Sequence, residues 1–193
     1  MKRFGLLLPW LALTACTSQS SVTARDWRDY VAHPDIGHSP ALFKDLQTCE
    51  NPTCPAMADI SDQMVDDLTA QVSAKTLDTV KTSIDLYPLV ANRGPVAARL
   101  ARRIATSIDE DPETYLEAAS PDSVVPQLVL ATPADMQGND RAQYTLLRTR
   151  REKLAAVPPG YPREEETRGR AISLLNSEVI HLDGRLLRPR PVP

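Results

Sequence analysis

The residues whose types and spacing come nearest to a chemical site are His33, His38, Cys49 and Cys54, which together read H-x4-H-x10-C-x4-C. Both pair spacings lie within those of structural zinc sites, where thiolate and imidazole ligands complete a tetrahedron. The order of the pairs is reversed from the familiar finger, however. Pro34 and the Ser39-Pro40 step place both histidines on a surface loop. The two thiols equally suit a small disulfide loop, since four intervening residues are too many for a redox C-x-x-C centre. His181 stands alone and is given no role.

A second group is the acidic run Asp109, Glu110, Asp111 and Glu113. Glycoside hydrolysis needs only two carboxyls across a cleft, so this run offers an acid and a base. It reads as readily as a solvated helix start. Serine-hydrolase, phosphate-loop, dinucleotide and zincin signatures are absent from the chain, which leaves no catalytic residue, no resident metal and no cofactor to assign.

Basic residues are gathered in two places. Arg99, Arg102 and Arg103 fall within about one and a half turns of a single helix, and Arg148, Arg150, Arg151 and Lys153 crowd another. Either cluster fits a docking surface that speeds encounter with a charged partner. The competing reading is two solvated helix faces whose exposed ion pairs contribute little. Over the whole chain 22 Lys and Arg face 25 Asp and Glu, a net charge of −3. That balance argues against nucleic acid as a partner. Its distribution alternates: 93–108 holds four basic residues and no acidic one, and 109–140 holds eight acidic and no basic one.

The amino terminus carries an address. Lys2 and Arg3 precede an apolar stretch from Phe4 to Leu13, about ten residues against the ~20 that span a bilayer, which is the form of a signal peptide. The junction Leu13-Thr14-Ala15-Cys16 resembles the lipobox of bacterial lipoproteins. That resemblance covers the leader alone. It implies cleavage before Cys16, lipidation of its thiol, acylation of the new amine with chains of the palmitate kind, and a mature chain from 16 to 193. Thr17, where an aspartate would favour inner-membrane retention, implies sorting to the outer membrane with the folded part in the periplasm. There, with Cys16 consumed, Cys49 and Cys54 are the pair expected to form a disulfide.

The remaining pattern says what must position these groups. Residues 16–24 are small and polar, a tether. Trp27, the only tryptophan after the leader, reads as a core plug among two short helical pieces. Met57, Ile60, Met64, Leu68 and Val72 recur at helical spacing, as do Leu77, Val80, Ile84 and Tyr87 up to Pro88, which should end or kink the helix. Asn92-Arg93-Gly94-Pro95 is a turn that opens a third helix, where Val96, Leu100, Ile104 and Ile108 repeat beside Ala97, Ala101 and Ala105. Such an alanine face allows close helix packing.

Asp111 should cap a short helix through Ala119, Ser120-Pro121-Asp122 should start one toward Leu130, and Asp140 should cap one reaching Val157. A last helix is expected from about Arg163 to Asn176, with Glu164, Glu165 and Glu166 at its positive end. The Asp183-Gly184 step between apolar runs is a hairpin signal, and 188–193 is a proline-rich tail.

With 42% hydrophobic and 24% charged residues, 5% aromatics, seven glycines and 17 prolines, the chain fits a globular domain and disfavours a sandwich or barrel. The expectation is all-α: a small irregular bundle or short α-solenoid-like array over 25–187, with a C-terminal hairpin. The leading function is a non-enzymatic, lipid-anchored envelope protein that binds another envelope protein as scaffold, assembly or secretion accessory factor. An inhibitor or immunity lipoprotein directed at a toxin or lytic enzyme, and a cell-wall enzyme, are the alternatives.

Overall fold

Val96, Leu100, Ile104 and Ile108 repeat every fourth residue, and that stripe lies at the centre of the molecule, each member at most 4% exposed. The computed structural model describes residues 29–33, 60–72 and 76–187. Cys16, His38, Cys49, Cys54, Trp27 and the tail after Leu187 lie outside them. Seven α-helices are described: α1 (Asp62–Gln71), α2 (Leu77–Val90), α3 (Pro95–Glu110), α4 (Pro112–Ala118), α5 (Pro126–Val129), α6 (Asp140–Ala156) and α7 (Pro162–Leu186). Residues 29–32 are also helical, and no strand occurs among the described residues. The fold is all-α.

α3 is the hub, packing on α1, α2, α4, α5 and α6. α6 and α7 pair antiparallel: Arg185 near the end of α7 bonds Asp140 at the start of α6 at 2.9 Å, and Arg168 near the start of α7 donates to the Val157 carbonyl after α6. Buried residues from all these elements join in one apolar cluster. Tyr30 anchors the amino-terminal fragment on α2. Its ring is fully buried, and its oxygen accepts from the Thr82 hydroxyl at 3.1 Å.

Local chemistry explains most boundaries. Ser61 accepts from the Met64 amide and caps α1, leaving Ile60 buried just ahead of the helix. The Asn92-Arg93-Gly94-Pro95 turn requires a positive φ at Gly94, +52°, after which Pro95 opens α3 with its fixed φ and no amide to orphan. Asp111 caps α4 through the Thr114 amide. Glu164 and Glu165 accept the Tyr161 and Gly160 amides at the head of α7.

Four expectations need correction. Pro88 does not stop α2 where it stands, because it sits in the last turn, where two further residues complete the helix. The helix expected from Ser120 is split into a 3-10 turn, Pro121–Ser123, and α5, because Ser120 and Ser123 close a capping box and Pro126 starts afresh. Asn139, not Asp140, caps α6. The C-terminal hairpin does not exist: α7 runs through Asp183 and Gly184 to Leu186. Thr167, Ala171, Leu175, Val179 and Leu182 form one continuous buried helical stripe, and the burial of Val179 and Leu182 outweighs the roughly 1 kcal/mol that a mid-helix glycine costs.

Candidate functional site

The arginine clusters separate once the helices are placed. Arg99 and Arg103 lie on the side of α3 that faces α1. Arg99 forms a two-pronged pair with Asp66 at 2.8 and 2.6 Å, and Arg103 donates to the Val72 carbonyl at 2.7 Å and meets Glu110 at 3.3 Å. The Arg99 hydrogen bonds hold the Asp66 carboxyl below its ordinary range.

On α6, Arg150 points inward and is 1% exposed. Its guanidinium grips both Asp109 oxygens at 2.8 and 2.6 Å and donates to the Val129 and Ala131 carbonyls at 2.6 and 3.0 Å. Five donors in a planar fork suit this geometry, which ties α3, the end of α5 and α6 together. Lys153 donates to the Asp109 carbonyl. Close by, burial pushes the Tyr115 phenol far above its usual range against the opposing Arg150 charge, and its hydroxyl has no hydrogen-bond partner among the described residues. Arg151 reaches Asn176 at 3.3 Å, and Arg148 pairs with Glu152 one turn on, at 2.8 Å on an exposed face.

The acidic run is equally committed. Asp109 belongs to Arg150, Glu110 to Arg103, and Asp111 to the α4 cap, while Glu113 is exposed in the first turn of that helix. His33 ends the amino-terminal fragment and His181 lies exposed on α7. Among the described residues no three potential ligands gather into a metal site, and no helix is long and apolar enough to cross a membrane.

What the sequence did not single out is a groove. α2 and α3 meet at the Gly94 elbow, and the chain from 121 to 137 passes in front of them without closing the gap. Two adjoining cavities result, of about 440 and 380 Å³, sharing Tyr87, Ala91 and Gln127. The first is walled by Ile84, Pro88, Val125 and Leu128. The second is floored by Gly94, Ala97, Ala98 and Ala101 and ends at Arg102. The alanine face expected to pack a helix is therefore partly covered by the core and partly open: Ala105 is fully buried, whereas Ala98 is exposed to the groove. Polar groups line its margins, with Gln127, Thr132 and Gln137 beside the second cavity and Ser123 and Asp122 beside the first. This combination, an apolar concavity with a few polar groups, is the general form of a binding site.

Arg102 differs from its neighbours. It lies one turn beyond Ala98, is half-buried, and no hydrogen bond or ion pair engages its guanidinium among the described residues. Asp122, at the other end, is held by Arg170 at 3.3 Å. The signal that could have found the groove was in the sequence: Gly94, Ala98 and Arg102 fall at four-residue intervals, a small-residue row with no large apolar member.

Comparison with protein-family models, curated proteins and solved structures finds no match to this chain.

Proposed function

We propose that this chain is a lipid-anchored envelope lipoprotein of the outer membrane, non-enzymatic, whose helical domain in the periplasm binds another envelope protein as a scaffold, assembly or secretion accessory factor. The observation that carries the partner-binding half is the groove at the α2–α3 elbow, an apolar concavity left open in a domain whose other elements bury their apolar faces. The location half rests on the Leu13-Thr14-Ala15-Cys16 junction. Acyl chains contribute roughly 0.8 kcal/mol per buried CH₂, so two or more make anchoring stable and leave the domain's own surface for a partner. Tethering to one membrane also raises the effective concentration of partners there, so a modest groove suffices. The commitment of Asp109, Glu110 and Asp111 to arginines and a helix cap supports a role without catalysis.

The test has two arms. Labelled palmitate should enter the wild-type protein and be absent from Cys16→Ala, which should leave the membrane fraction. In-cell crosslinking of the tagged, lipidated protein should recover one near-stoichiometric envelope protein. Recovery of the protein alone, beside controls that crosslink well, overturns the partner-binding reading. Labelling that persists in the Cys16→Ala variant overturns the lipoprotein reading.

A further inference from the structure

We infer that the groove at the α2–α3 elbow receives a short amphipathic helix of the partner, apolar on one face and carrying a carboxylate that Arg102 reads. This inference rests on the partner-binding reading above and names the chemistry of what is bound.

Three observations converge. The floor is made of Gly94, Ala97, Ala98 and Ala101, residues at the i, i+3, i+4 and i+7 positions of one helix face. Without side chains beyond Cβ, such a row lets a second helix approach closely and lets its larger apolar residues fill the space above. From Gly94 to Arg102 the row extends about 12 Å at helical rise, two turns of a docked helix. Next, the walls are apolar and the margins polar. Ile84, Pro88, Val125, Leu128 and Leu130 supply the walls, and Gln127, Thr132 and Gln137 remain to meet the polar flank of the guest. An acyl chain would leave those amides and the hydroxyl facing hydrocarbon.

The third observation is charge. Arg99 and Arg103 are satisfied by Asp66, the Val72 carbonyl and Glu110, Asp122 is satisfied by Arg170, and Arg102 alone ends the groove with an unengaged guanidinium among the described residues. A half-buried guanidinium beside an apolar floor favours a carboxylate, because the pair forms where water is partly excluded and two parallel hydrogen bonds fix its geometry. A cationic guest meets the opposite condition, and that repulsion provides specificity.

The experiment uses the full lipidated chain in nanodiscs and a display library of 16-residue helical peptides. Leu and Ala occupy i, i+3, i+4 and i+7, and one flanking position is varied among Glu, Gln and Lys. Selection on wild type should enrich Glu over Lys by about tenfold, and on Arg102→Glu the preference should invert. Ala98→Trp, at an exposed position where a large side chain fills the groove without touching the core, should abolish enrichment of either. Circular dichroism and melting of both variants confirm the fold. The inference is overturned if no helical peptide is enriched, if the charge preference does not invert with Arg102→Glu, if enriched peptides bind Ala98→Trp undiminished, or if dodecanoate displaces them at low concentration, which would make the groove a fatty-acid site. A cellular complex that survives Ala98→Trp removes the groove and leaves partner binding intact, so the two readings fail separately.

Discussion

Arg150 and Arg102 are the same residue type on neighbouring helices, each in a basic cluster, and the fold gives them opposite duties. Arg150 faces inward from α6 and is closed by Asp109 and two backbone carbonyls. Arg102 faces the gap between α3 and the 121–137 segment with no such closure among the described residues. The difference is one of surroundings, not of sequence. A buried guanidinium must have its donors satisfied inside the protein, whereas a half-buried one at a groove end keeps water as its partner until something replaces it. Taken as a docking surface, the 148–153 cluster therefore loses Arg150 outright, and Lys153 is tied to the Asp109 carbonyl.

The largest effect expected from breaking this contrast is Arg150→Ala. It leaves Asp109 and the Val129 and Ala131 carbonyls without their partner and opens a void, and should cost about 3–5 kcal/mol in urea unfolding. Asp109→Asn keeps the volume and one acceptor, so its cost should be smaller, about 2 kcal/mol, and a double-mutant cycle with Arg150→Ala should show strong coupling. A loss below 1 kcal/mol for Arg150→Ala would mean that the clamp is dispensable. Gly94→Ala comes next. The added Cβ meets open space, so the cost of about 1 kcal/mol comes from the positive φ alone, and it should appear as a lower melting temperature.

A smaller effect marks the arginines that hold α1. The Arg99 hydrogen bonds lower the folded Asp66 pKa, so this pair's contribution is fully present above the unfolded value near 4 and is lost as pH falls through the lower folded value. The stability difference between wild type and Asp66→Asn should accordingly shrink on acidification, and a difference that grows below pH 4 would contradict the assignment. Arg102→Ala should do least to stability, within about 0.5 kcal/mol, while removing the charge preference of the groove. If it destabilised the fold as Arg150→Ala does, the contrast between the two arginines would collapse.

Much of the scaffold was legible because the pattern was periodic. The repeat of Val96, Leu100, Ile104 and Ile108, the Gly94-Pro95 start and the Asp111 cap are local features, and local physics suffices for them. The far half of α7 was misread because Asp183-Gly184 is a strong local turn signal, while the Ala171, Leu175, Val179 and Leu182 stripe that overrides it gains its energy only against α6 and the core. The arginine clusters were visible as clusters, yet their division into clamp, brace and groove end was not. Asp66, Asp109 and the Val129 carbonyl lie between 21 and 41 residues from the arginines they satisfy.

What the sequence by itself determined is the helical class, most helix starts and the chemistry available at each position, since caps, prolines and periodicity act over a few residues. Only the tertiary structure decided which arginine is buried and which stands open, and that part of the alanine face of α3 is left uncovered. Those outcomes depend on how the 121–137 segment crosses α2 and α3. That crossing is set by long-range packing, in which the burial of Leu128 and Val129 and the Arg150 clamp hold the segment in place and leave the gap beside it.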